Sequence, residues 1–132
     1  GLISSMRRIE EIITERMKQL DKITKIIIVG FSQGAALAIF IGQSSKIKFD
    51  GILLLSGYQP ITASNNITKR NTPILAMHGL HDDIIDIDTA RLSYKDNSPE
   101  HFNFKTYEMG HEVNSSQLLD IQKFLLGIKD YD

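Results

Sequence analysis

Between residues 2 and 20 the apolar side chains fall at Leu2, Ile3, Met6, Ile9, Ile12, Ile13, Met17 and Leu20, with Arg7, Arg8, Glu11 and Glu15 between them. That spacing follows the helical period and predicts an amphipathic helix lying on a core. Lys25 to Val29 is short, β-branched and apolar at consecutive positions, which predicts a strand covered on both faces, as in a parallel sheet. Ala35 to Ile41 is apolar nearly all round and its alanines favour helix, so the strand is expected to feed directly into a buried helix. Ile52 to Leu55 and Ile74 to Met77 repeat the buried-strand pattern, and the Gly, Pro, Ser and Asn of Ser56 to Thr72 read as a loop between them. Thr89 to Lys95 predicts a short helix. Phe102, Phe104 and Thr106 alternate with Asn103, Lys105 and Tyr107, a period of two that predicts a strand near a sheet edge. A final helix is signalled by Asn114 as cap, Gln117 three residues on, Val113 and Leu118 as a staple, and a stripe of Leu118, Ile121, Phe124, Leu125 and Ile128.

The order helix, strand, helix, strand, strand, helix, strand, helix predicts an α/β fold of about four mainly parallel strands with helices on both faces. No repeat, linker or low-complexity tract divides the 132 residues, so a single domain is expected over 1–132. A hydrophobic fraction of 42% is enough to form a core and argues against a disordered tail or a fibrous repeat. Fifteen basic and sixteen acidic side chains leave a net charge of −1 without charged blocks, which gives no electrostatic footprint for nucleic acid or an anionic membrane. Small neutral partners fit better. The absence of cysteine excludes thiol catalysis, zinc-thiolate sites and disulfides, and no segment has the length and hydropathy of a membrane span or a signal peptide. A cytoplasmic location is the default expectation.

The chemistry concentrates at Val29-Gly30-Phe31-Ser32-Gln33-Gly34-Ala35. A strand ending in Gly-x-Ser-x-Gly and running into a helix is the pattern of a nucleophile elbow. The sharp turn is expected to leave no room for side chains at Gly30 and Gly34, and to hold Ser32 in a strained conformation that lifts its hydroxyl above the sheet. The helix that starts there aims its first amides at the same point, so the N–H of Gln33 is the candidate donor to an oxyanion. A serine nucleophile also needs a base and an orienting acid, in the order Ser, Asp or Glu, His. Asp82 follows the third strand, with Asp83 in reserve, and His111 follows the fourth. Both lie on the rim where open α/β sheets place their ligands. His78, His81 and His101 are expected to be structural or solvated.

Four stretches together carry a family resemblance: Gly30 to Ala35, Leu55-Ser56-Gly57-Tyr58-Gln59-Pro60, Pro73 to Gly79 followed by Asp82, and Phe104 to Glu108 followed by His111. In this order they resemble the carboxyl-terminal part of the phospholipase/carboxylesterase family of α/β-hydrolases, which includes acyl-protein thioesterases. The resemblance implies Ser32 as nucleophile, Asp82 as acid and His111 as base. It implies short-chain carboxyl esters, lysophospholipids or S-acyl proteins as substrates, and no metal or cofactor.

Three departures stand out. Ile85-Asp86 replaces the family's usual Val-Pro after the acid, which is expected to loosen that loop or add charge at the mouth. Gln59 replaces Leu before Pro60, which is expected to make one wall more polar. Finally, the family carries strands ahead of the elbow strand and a His-Gly-x-Gly loop that supplies a second oxyanion N–H, and nothing ahead of Ser32 matches that loop. The elbow strand is therefore expected to present an unpaired apolar edge, either as part of a longer hydrolase or in a chain that pairs with itself. The alternative to an active esterase or thioesterase is a truncated, catalytically weak remnant that associates through this edge.

Overall fold

Successive side chains of a strand point to opposite faces, so the unbroken apolar runs at Ile52–Leu55 and Ile74–Met77 require cover on both sides. A computed structural model, which describes residues 1–23, 25–61 and 70–128, provides it. The elements run α1 (Leu2–Met17), β1 (Ile27–Phe31), α2 (Gln33–Ser44), β2 (Gly51–Leu55), β3 (Ile74–Gly79), α3 (Ile87–Ser93), β4 (Phe102–Tyr107), a 3₁₀ turn (Ser115–Gln117) and α4 (Leu118–Gly127). The four strands form one parallel sheet in the order β1-β2-β3-β4. Every residue of the central β2 and β3 is buried.

Alternate positions of those two strands build two separate cores. Ile52, Leu54, Ile74 and Ala76 pack with Ala35, Ala38 and Ile39 of α2, Ala90 of α3, and Tyr94 just beyond it. Leu53, Leu55, Leu75 and Met77 face the other way, against Ile121 and Phe124 of α4. The sheet thus has helices on both faces, and β4 lies at an edge, as its alternating pattern implies. The β2–β3 connection reads as a loop in sequence; its residues 62–69 lie outside the described residues.

Four local expectations need correction. The strand expected at Lys25 to Val29 is displaced to Ile27–Phe31, because the ladder with β2 continues through Gly30 and Phe31 opposite Leu54 and Leu55. At its start, Ile26 is instead held by the Asp50 carboxylate, which accepts from its amide at 2.8 Å. β1 is not covered on both faces, since Val29 and Phe31 are 54% and 43% exposed.

The helix α1 is amphipathic in sequence, yet its only buried residue is Glu10. That carboxylate accepts from Ser45 Oγ at 2.6 Å and from the Lys46 amide at 3.1 Å, tying α1 to the end of α2. Asn114 does cap the last helical segment, accepting from the Ser116 amide while Gln117 Oε1 accepts from the Asn114 amide. The first turn is 3₁₀, however, and Val113 and Leu118 are both exposed. They form no buried staple.

Candidate functional site

β1 leads straight into the turn. The Ser32 amide donates to the Leu55 carbonyl at 2.8 Å, continuing the ladder, while the Ser32 carbonyl accepts from the amides of Ala35 at 3.0 Å and Ala36 at 3.3 Å, opening α2. Both roles fall on one residue only because its backbone is left-handed, at φ 59° and ψ −121°. For a residue with a Cβ this strain costs about 1–3 kcal/mol. Ser32 occupies the cap position of α2, but its side chain makes no cap hydrogen bond. Its hydroxyl points elsewhere.

The two glycines of the motif differ. A Cβ on Gly30 would fall on the carbonyl of Gly34, so the bare backbone there is a steric requirement. A Cβ on Gly34 meets nothing within 4 Å among the described residues, which corrects the expectation that both positions are crowded. Close approach is instead found again at Gly57, where a Cβ would strike that of Ala35, and at Gly79, where it would strike the carbonyls of Met109 and Gly110. The second contact packs the loop after β3 directly against the loop after β4.

Those two loops carry Asp82 and His111. Asp82 Oδ1 accepts from the amides of Ile84 at 2.9 Å and Ile85 at 2.8 Å, which fixes the carboxylate plane. Oδ2 then faces His111 Nδ1 at 2.8 Å. On the other side of the imidazole, Nε2 lies 3.0 Å from Ser32 Oγ. A carboxylate can only accept, so the proton of a neutral His111 sits on Nδ1, and Nε2 is left to accept from the serine hydroxyl. Ser32, His111 and Asp82 are thereby joined into one chain across residues far apart in sequence. Burial by itself would raise the Asp82 carboxyl, yet the amides of Ile85 and Ile84 and the His111 ring together hold it below its usual value.

The surroundings follow from the same strand ends. Phe31 stands against the His111 ring with centroids 5.0 Å apart, and Ser56 Oγ donates to the Glu112 carbonyl at 3.3 Å, steadying the loop next to His111. Ser56 is fully buried with φ 55°, a second strained serine beside the first. Gln33 is the first residue of α2, where an amide has no carbonyl of its own helix to bond. A cleft of about 470 Å³ opens above it, lined by Phe31, Ser32, Gln33, Gly34, Tyr58, Ile84 and Ile85.

Asp82 meets His111; Asp83 is exposed and takes no part in that chain. His81 is exposed and pairs with Glu108 at 2.7 Å, and His101 lines a groove with Pro73 and Pro99, away from Ser32. His78 is fully buried. Two departures from the family pattern resolve differently from expectation. Asp86 caps α3, accepting from the amides of Asp88 and Thr89, so the loop is anchored where loosening was expected. Gln59 turns away from the cleft into a ring of amides: its Nε2 donates to Gln43 at 2.9 Å, Gln43 to Asn97 at 2.8 Å, and Asn97 back to Gln59 at 2.6 Å. Phe31 and Ser56 lie within stretches already singled out in the sequence, but no role is read there for either; their contacts to the His111 ring and the Glu112 carbonyl come from the structure.

The phospholipase/carboxylesterase family model matches residues 1–128. Acyl-protein thioesterase 1 of Yarrowia lipolytica is 33% identical over 95% of this chain and 59% of its own length, and that of Aspergillus fumigatus is 31% identical over 95% and 56%. The chain therefore spans a little over half the length of these curated relatives. Among solved structures, Arabidopsis thaliana SOBER1 superposes with a TM-score of 0.80 at 22% identity, over 95% of this chain and 63% of that one. Acyl-protein thioesterase 2 of Zea mays gives 0.66 at 25% identity, over 77% and 55%. With nearly its whole length matched and the sheet superposing on solved relatives, this chain belongs to the phospholipase/carboxylesterase family and has a partial α/β-hydrolase fold.

Proposed function

We infer that this chain is the carboxyl-terminal part of a serine hydrolase that cleaves carboxyl esters or thioesters through an acyl-enzyme. The observation that carries the reading is the unbroken hydrogen-bonded chain from Ser32 Oγ through His111 to Asp82. In this mechanism His111 Nε2 takes the serine proton as Oγ attacks the acyl carbonyl, and Asp82 steadies the imidazolium that results. The Gln33 N–H holds the developing oxyanion. His111 then returns the proton to the departing alcohol or thiol, and water, activated by the same imidazole, releases the acid. The names of the relatives favour thioesters of acylated proteins, and the cleft beside Phe31, Tyr58 and Ile84 offers an apolar wall for an acyl chain.

A fluorophosphonate probe tests this. It should label the protein at Ser32, and Ser32→Ala should abolish labelling and p-nitrophenyl butyrate turnover; labelling that persists in the variant rejects the reading.

A second reading is favoured by the exposure of Val29 and Phe31 on the edge strand β1. Here the chain is a catalytically weak remnant that associates through that edge and works without a second oxyanion donor; loss of one such donor costs on the order of 10² to 10³ in turnover. Turnover no faster than that of Ser32→Ala, together with dimers in light scattering, would select it. A stable monomer that turns over ester would reject it.

A further inference from the structure

His78 is the fifth residue of β3 and points, with Ile74 and Ala76, into the apolar core beneath α2 and α3. Its ring stacks on Phe104 with centroids 6.3 Å apart, and none of it is exposed. Nε2 lies 2.6 Å from the carbonyl of Ile85 and 3.3 Å from Asp82 Oδ2. Both neighbours are acceptors, so the ring proton of a neutral His78 sits on Nε2 and is shared between them. Nδ1 is left buried without a hydrogen-bond partner, the only such side-chain atom among the described residues. A leucine or phenylalanine would fill this layer without an orphaned nitrogen. The polar ring therefore has a reason other than packing.

That reason is visible in what its N–H holds. The Ile85 amide donates to Asp82 Oδ1 while the Ile85 carbonyl accepts from His78, so the acid loop is fastened to β3 through its own far end. Asp82 Oδ2 is the oxygen that also receives His111 Nδ1, which places His78 on the opposite side of the one atom that orients the base. The geometry points to His78 as a positioning residue for the Asp82–His111 pair: a buried imidazole whose Nε2–H braces the acid without touching substrate. The inference rests on the reading of Ser32, His111 and Asp82 as a catalytic triad.

The test uses the purified chain with His78→Gln, His78→Asn and His78→Leu. Glutamine carries an N–H close to the place of Nε2, asparagine stops short of it, and leucine has none. The readouts are p-nitrophenyl butyrate kinetics and the downfield proton resonance of His111 Nδ1, assigned by its loss in His111→Gln. His78→Gln should keep the resonance and most of the turnover. His78→Asn and His78→Leu should shift the resonance upfield and lower kcat, on the order of 10²-fold, with KM nearly unchanged. A leucine variant that keeps both resonance and kcat overturns the inference, as does a glutamine variant that fails alongside asparagine. Should leucine not fold, the glutamine and asparagine pair decides by itself. A wild-type chain without Ser32-dependent labelling or turnover refutes the hydrolase reading, while the resonance still judges the role of His78.

Discussion

β1 and β2 are adjacent, parallel and similarly apolar in sequence, yet every residue of β2 is buried while Val29 and Phe31 of β1 are exposed. The difference comes from position in the sheet. β2 has a strand on each side and a core on each face, whereas β1 has one neighbour among the described residues. The candidate site inherits the asymmetry. Asp82 and His111 sit on loops after β3 and β4 that pack on each other, with the acid held by two amides and an imidazole. Ser32 sits at the end of the least covered strand. The arrangement teaches that Asp82 and His111 are held by the described core, while Ser32 relies mainly on the geometry of its own turn.

The largest effect should come from breaking the well-held half. Asp82→Asn retains the shape but presents a donor to His111 Nδ1, favouring the wrong tautomer, and should lower kcat on the order of 10⁴-fold in ester hydrolysis. Next, Leu54→Ala removes a fully buried side chain from β2 and should cost about 2–5 kcal/mol in urea unfolding. Gly30→Ala forces a methyl group onto backbone that cannot yield, at about 1–3 kcal/mol, whereas Gly34→Ala should carry no such steric cost. Equal losses at the two glycines would contradict the turn geometry.

A subtler test concerns acid. The Asp82 carboxyl is held below its ordinary value in the folded protein, so its contribution to stability is present above about pH 4 and lost as the pH falls through the folded value. Melting temperature should therefore fall more steeply below pH 4 in the wild type than in Asp82→Asn. The smallest change in stability is expected on the exposed strand. Val29→Lys should alter the unfolding free energy by no more than about 0.5 kcal/mol, while a charge on the edge should abolish any self-association seen by light scattering.

The type and order of the elements were legible because buried parallel strands leave unbroken apolar runs and helices leave a 3.6-residue period. Hydropathy alone misjudges the cover of β1 and α1, since it reports what a segment would bury and not whether a neighbour is there to bury it; the open edge of β1 is foreseen only through the family resemblance. Ser32, Asp82 and His111 are singled out by the elbow, by chain order and by the family resemblance, with Asp83 in reserve, and the structure brings these three side chains into hydrogen-bond contact. What stayed hidden were contacts made by tertiary packing: the clash that singles out Gly30 over Gly34, the amide ring that takes Gln59 from the cleft, and the cap by which Asp86 firms a loop. His78 is set aside with His81 and His101 as structural or solvated, and neither its full burial nor the oxygen it faces could be read from the sequence.

A serine at the start of a helix ordinarily turns its oxygen back onto the first-turn amides and steadies them. Ser32 withholds that service and holds a left-handed backbone as well, so the role proposed for its hydroxyl and the thermal hardiness of the helix compete for the same atom. Glycine at this position would relax the backbone at little cost in capping, giving a sturdier protein without the Ser32 hydroxyl. On the proposed hydrolase reading, selection for heat resistance alone would therefore favour variants that have lost the hydroxyl of residue 32, so each round has to be paired with a screen for ester hydrolysis.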